Sequence, residues 1–371
     1  MRTGSDQFIQ DSDMFALNSW PALLALALAA PLCAVAHDAA SPPRPDDHAP
    51  VGVMADHTHR RGEVMLSYRY SVMGMSGNLA GTDRLSPDTI ATQVPNRFSG
   101  LPGQPPTLRV VPVDMVMQMH MLGAMWAPTD ALTLMAMVPW VRLHMDHITY
   151  SGGMGTARLG RFTTVNDGVG DMSLAALASI VNSSNERLHT SFALVAPTGE
   201  NDATATVLAP NGMRPILRLP YPMQIGSGSW AIKPGATYVR RHDRWSWGLQ
   251  YAGTIYLDEN DEGYSRGDLH QLNSWAARLV SPSVSVSLRL SAETEDDIAG
   301  IDANIVAPVQ TADPWRQGGE RLTVLAGANW QPRRASGHRL AAEYGYTVWQ
   351  DLNGPQLERD ARLVLGYQLS W

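Results

Sequence analysis

The feature that most constrains this chain is strict period-two alternation in its last segment. Leu363, Leu365, Tyr367, Leu369 and Trp371 alternate with Arg362, Val364, Gly366, Gln368 and Ser370. A β-strand sends successive side chains to opposite faces, so this pattern calls for two different environments on its two sides. The same alternation recurs upstream. It runs through Val64, Leu66, Tyr68 and Tyr70, through Trp245 to Leu257, through Val284 to Leu290, through Leu322 to Trp330, and through Leu340 to Val348. After residue 40 no stretch offers about 18 consecutive apolar residues, which excludes a membrane-spanning helix from that part of the chain.

Marking every such segment places strands near 63–71, 113–126, 131–142, 169–181, 187–197, 228–240, 245–257, 268–280, 283–292, 320–331, 338–349 and 360–371. Short and long connections alternate along this series. Ala127 to Asp130, Asn182 to Asn185, Arg241 to Asp243, Ser281-Pro282 and Pro332 to Ser336 are short, and the intervening junctions are long. Short periplasmic turns and longer outside loops produce that sorting, which a soluble β-sandwich has no reason to adopt. Trp245, Trp330 and Trp371 fall at the ends assigned to the periplasm, and Trp140, Trp230 and Trp349 at the opposite ends, as two interfacial girdles require. The expected fold is all-β: an antiparallel transmembrane β-barrel of about twelve strands. A secreted soluble β-protein is the alternative.

The start of the chain reads as an export signal. Pro21 to Ala36 is apolar and ends in Ala34-Val35-Ala36, a small-residue cleavage pattern. Residues 1–36 are therefore expected to be a signal peptide, with Met1 or Met14 as the start. Residues 37–60 read as a disordered periplasmic lead-in, and 61–371 as the outer-membrane barrel. The single cysteine, Cys33, falls within the signal, so the mature chain is expected to be free of thiols and disulfides. A net charge of −7 argues against a nucleic-acid partner. The expected partners are outer-membrane lipid and lipopolysaccharide, a small-molecule substrate, and the barrel-assembly machinery acting through Trp371.

If the apolar parity faces lipid throughout, the opposite parity lines the lumen. That rule selects Arg69, Asp114, Gln118, His120, Asp171, His189, Lys233, Gln250, Arg289, Glu343 and Arg362. By the same rule Met115, Met117, Met119, Met121 and Met125 face lipid. The abundance of methionine beside histidine also admits a metal. Thioether and imidazole together suit copper, and His57, His59, His120, His144 and His147 are the candidate ligands. Otherwise no cofactor is expected, and the methionines are ordinary membrane-facing residues.

Three short motifs carry a resemblance. They are Gly168-Val169-Gly170-Asp171, Ala196-Pro197-Thr198-Gly199-Glu200, and Gly226-Ser227-Gly228-Ser229-Trp230 followed by Pro234-Gly235 and Tyr238. In order and spacing they resemble the outer-membrane family named for the meta-pathway of phenol degradation, over roughly residues 60–371. The resemblance implies a barrel that transports small, often aromatic, molecules, and it implies no catalytic residue. The expected function is thus a channel or facilitator and not an enzyme. An outer-membrane hydrolase using His189 with Ser191, or a structural or adhesive barrel, are the competing readings.

Overall fold

The computed structural model describes residues 44–333, 335 and 337–371, so the segment expected as a signal peptide lies outside the described residues. Alternation makes strands throughout. In chain order they are β1 (Val64–Gly81), β2 (Asp83–Arg84), β3 (Val110–Thr129), β4 (Leu132–Tyr150), β5 (Arg158–Val169), β6 (Met172–Asn182), β7 (Glu186–Ala196), β8 (Thr204–Thr206) and β9 (Ile216–Arg218). There follow β10 (Ala231–Arg241), β11 (Trp245–Tyr256), β12 (Tyr264–Ser265), β13 (Leu269–Ser281), β14 (Val284–Glu295), β15 (Ala299–Gly300), β16 (Gly319–Trp330) and β17 (His338–Ser370).

Eleven runs pair antiparallel in the order β1, β3, β4, β6, β7, β10, β11, β13, β14, β16 and β17, and β17 pairs back onto β1. Closure removes every free edge, which is the condition for β-structure in a bilayer. The last run, of 33 residues, is a hairpin. Its first half pairs with β16 from Leu340 to Leu352, and its second half pairs with β1 from Leu352 to Ser370. Near the bend, the Gln350 side-chain amide donates to the Arg359 carbonyl and its oxygen accepts from the Arg359 N–H, both at 3.0 Å. β5 pairs with the outer part of β4 and β6 with its inner part, so the two form one crossing interrupted at Gly170-Asp171. With that crossing and the hairpin, the chain traverses the wall twelve times, as expected.

Outward positions carry a continuous apolar band. Leu66, Leu122, Leu134, Leu174, Leu194, Leu249, Leu272, Leu288 and Leu365 are all 39–69% exposed. A soluble domain does not tolerate such a belt, whereas hydrocarbon does.

The wall is uneven in height. β1, β3 and β4 have 18, 20 and 19 residues, while β7, β10 and β11 have 11, 11 and 12. The sequence reading ended the first and third strands at 71 and 142 because alternation fades there. Beyond the bilayer neither face meets lipid, so the hydrophobic signal of a strand disappears although its hydrogen bonding continues. The tall wall is buttressed by α1 (Pro87–Gln93), which Ser86 caps and whose Ile90 and Ala91 pack on Leu108, Val111, Ile148 and Tyr150. A second apolar cluster, including Tyr221, Tyr264, Ile298, Ile305 and Val309, joins the outer loops.

Candidate functional site: the barrel interior

Residues 44–60 enter the barrel. Asp46, Ala49, Val51, Val53, Asp56, His57 and His59 are each at least nine-tenths buried, and strand side chains hold the segment's backbone. Arg339 Nη2 donates to the Ala49 carbonyl (2.7 Å), Gln250 Nε2 to that of Met54 (2.8 Å), and Ser246 Oγ to that of Asp46 (2.8 Å). His189 Nε2 lies 2.8 Å from the Ala55 carbonyl, and the Thr133 hydroxyl oxygen accepts from the His59 N–H at 2.9 Å. Val53 and Ala49 pack on Val239 and Trp275. The expectation of a disordered lead-in therefore fails for residues 44–60; residues 37–43 lie outside the described residues. Low sequence complexity made this stretch look unstructured, but the Val51-Gly52-Val53 core and the wall's polar side chains satisfy it from outside.

At the inner end the interior is polar and tightly paired. Arg289 and Glu343 make two hydrogen bonds of 2.8 Å, and Arg289 also donates to Asn273 at 2.7 Å. The Gly52 N–H donates to the same Glu343 carboxylate at 3.0 Å. A Cβ on Gly52 would collide with both Arg289 and Glu343, so only glycine lets the segment pass this close. Arg69 and Arg362 share the inward parity; a Cβ on Gly366, paired with Arg69, would meet Val51 of the inserted segment.

Midway and above, one wall changes character. Register pairs Met65 with Met125, Met73 with Met117, Met75 with Met115, Met125 with Met135, and Met115 with Met145. All of these face inward. Met65, Met125 and Met135 pack with Ala175, Leu177 and Ala193, and Met115 and Met145 with Leu143, Leu219 and Met223. The parity assigned to β3 from sequence was inverted. Its lipid face is Leu122, Ala124 and Trp126, while Asp114, Gln118 and His120 point out of the barrel. The inference that the more apolar face meets lipid failed because the methionine face packs on apolar side chains inside the barrel, while lipid is met by Leu122, Ala124 and Trp126 on the mixed face. Methionine, unbranched and adaptable, fills a lumen wall against irregular loops.

The expected sites therefore divide. Arg69, Asp171, His189, Lys233, Gln250, Arg289, Glu343 and Arg362 lie on the inner side, and Asp114, Gln118 and His120 do not. Lys233 shares inward parity with buried Thr237 and Val239 yet is itself exposed, so it borders open space within the barrel. His120 joins an outward aromatic group, its Nδ1 2.6 Å from the Tyr68 hydroxyl and its ring 5.5 Å from that of Trp140. His144 has the same outward parity, whereas His147 is buried toward the outer end, stacked on Phe162. The five candidate histidines thus do not form one site. Only His57 and His59 adjoin, their ring centroids 4.8 Å apart. Sequence reading missed His48, whose ring lies 4.6 Å from that of His57. Its place beside Asp46-Asp47, eight residues before Asp56, was the available signal.

The three motifs singled out from sequence converge. Asp171 Oδ1 accepts from the Gly199 N–H (2.9 Å), and Oδ2 accepts from the Ser227 N–H (2.8 Å) and hydroxyl (2.7 Å). The Thr198 hydroxyl donates to the Gly170 carbonyl, and Asn260 donates to that of Ser227. Gly199 and Gly226 touch so closely that a Cβ on either would strike the other's backbone. This latch folds the segment between β7 and β10 inward, where Leu219, Met223 and Ile225 meet the methionine wall. The acidic runs at 258–262 and 293–297 are likewise engaged. Glu262 bonds Arg218, Glu293 bonds Arg359, and Glu295 bonds Arg321.

A closed antiparallel barrel with a lipid-facing apolar belt and a filled, partly polar interior is the architecture of an outer-membrane β-barrel. Residues 114–314, more than half of the chain, match the family described as "Putative MetA-pathway of phenol degradation", and the chain belongs to that family. Among solved structures it is similar to an outer-membrane channel from Pseudomonas putida F1. The two share 16% identity over 86% of this chain and 99% of that one, with a TM-score of 0.55. The β domain of the Bordetella autotransporter BrkA is also similar, at 14% identity, with 84% and 100% coverage and a TM-score of 0.43. No curated protein matches.

Proposed function

We propose that the protein is an outer-membrane channel for small, weakly polar or aromatic molecules. One observation carries this reading: the interior has two unlike walls. Thioethers of Met73, Met117, Met119, Met121 and Met137 line one side, none of them fully buried. Inward positions on the far side hold Gln271, Glu293 and Arg321, and Arg362 stands beside Met73 at the edge of the thioether wall. A mostly apolar surface with a few polar groups to orient a ligand is the usual chemistry of a small-molecule site. Soft, flexible thioethers suit ligands of varied shape. The family's title and the channel fold of the Pseudomonas putida relative support the reading.

Proteoliposome uptake of a radiolabelled phenol or toluene-like solute, compared with a sugar of similar size, tests it. Uptake of the aromatic solute that falls several-fold in a Met117→Glu, Met119→Glu double variant is expected. Equal permeation of both solutes, unaffected by the substitutions, would reject the reading. The hydrolase alternative is disfavoured because His189 Nε2 is engaged with the Ala55 carbonyl. An esterase assay on the purified barrel decides it.

A further inference from the structure

We propose that His48, His57 and His59, braced by Asp56 and Glu63, form a binding site for one divalent transition-metal ion, of the zinc or copper(II) class, inside the barrel. The inference is independent of the transport reading.

Ligand geometry comes first. One ligand atom each from His48, Asp56 and His57 lies within 4.8 Å of the others. The imidazole rings form a row, His48 to His57 at 4.6 Å and His57 to His59 at 4.8 Å between centroids. Donor atoms in a tetrahedral site with bonds near 2 Å are roughly 3.4 Å apart. His48, Asp56 and His57 stand within side-chain adjustment of that spacing, and His59 adjoins His57 ring to ring on the same short segment.

The second observation is the way the rings are held. His57 Nδ1 sits 2.9 Å from Asp56 Oδ1, and His59 Nδ1 sits 3.3 Å from Glu63 Oε2. The opposite nitrogens, Nε2 of His57 and Nε2 of His59, are buried without a hydrogen-bond partner. A carboxylate on one ring nitrogen and a metal on the other is the recurring arrangement of histidine ligands. Without an ion, two buried polar atoms bear an unrelieved desolvation cost. Asp56 is itself held, its second oxygen accepting from the Ala49 N–H at 3.0 Å.

The surroundings agree with a borderline divalent ion. Imidazole and carboxylate suit zinc and copper(II), and the methionine cluster packs against Ala55 beside the ligand set. Since His48 and His57–His59 lie nine or more residues apart, an ion would tie the two ends of the inserted segment together. Metal binding and ordering of residues 44–60 should then be linked.

The test uses tag-free, chelator-stripped barrel in detergent, titrated calorimetrically with zinc and with copper(II). One ion per chain is expected, with about two or three imidazole ligands by X-ray absorption. His57→Ala and His59→Ala should each abolish binding at the titration concentrations, and Asp56→Asn should weaken it roughly 10- to 100-fold. Gel mobility with and without heating verifies that each variant is folded. His120→Ala and His144→Ala should bind as wild type. Metal should also slow tryptic cleavage at Arg60 and Arg61 in wild type but not in His57→Ala. Uptake of neither ion by folded wild type, or wild-type affinity in a folded triple variant of His48, His57 and His59, would overturn the site.

Discussion

Glu343 and the backbone of Gly52 are joined by a hydrogen bond of 3.0 Å, although 291 residues separate them in the chain. The carboxylate that neutralises Arg289 on the barrel wall is also what fastens the inserted segment. Wall stability and segment placement therefore depend on one buried group.

Removing that group should be costly. Glu343→Ala leaves Arg289, 2% exposed in its side chain, without its counter-charge. Breaking a buried pair from one side costs about 3–5 kcal/mol. Denaturant unfolding should shift by that order, and proteolysis within residues 44–62 should accelerate. The double variant Glu343→Leu, Arg289→Met should recover much of the stability but not the protection of the segment. Unchanged proteolysis in both variants would show that the bond to Gly52 does not hold the segment.

The orientation of β3 can be tested with arginine. Leu122 faces lipid and is 49% exposed, whereas Met119 faces the lumen beside Ser71. Leu122→Arg should destabilise the barrel by roughly 2–4 kcal/mol near the bilayer midplane. Met119→Arg should fold nearly normally and instead alter conductance and ion preference. The opposite ranking, measured by refolding into lipid vesicles, would restore the parity expected from sequence.

For the latch, Asp171→Ala removes all three acceptor contacts to Gly199 and Ser227. Hydrogen bonds to a charged acceptor contribute about 1.5–3 kcal/mol each at most. The expected result is faster cleavage in the 200–225 segment with the strands intact by circular dichroism. Gly226→Ala should do the same through collision with Gly199. Protease resistance equal to wild type in both would mean the segment is held elsewhere.

Trp371, the last residue, is proposed as the recognition element for the assembly machinery. Its deletion should reduce the heat-modifiable, membrane-inserted fraction several-fold in cells. Trp371→Phe, which keeps a ring, should be close to wild type. If the deletion inserts normally, assembly is signalled by other residues.

Alternation by itself placed the barrel strands β6, β7, β10, β11, β13, β14 and β16 to within three residues and found the twelve crossings, although it read residues 350–359 of β17 as a loop and missed the short β8, β9, β12 and β15. That precision has a physical basis, because lipid imposes one sharp apolar requirement on every second residue. Where that requirement was ambiguous, sequence was not enough. On β3 methionine and leucine occupy opposite faces and both are apolar, so only pairing with Ser71, Val141 and the buried clusters decides which face is inside. Outside the bilayer, the extensions of β1, β4 and β5 carry no lipid-facing pattern and rest on cross-strand hydrogen bonds. The insertion of residues 44–60 was equally hidden. It depends on Arg339 and Glu343 of β17, Gln250 and Ser246 of β11, and Thr133 of β4, three strands far apart in sequence that only barrel closure arranges around one segment. The same closure buries His57 and His59 and brings His48 beside them, so that two stretches of an apparently unstructured leader meet in one place.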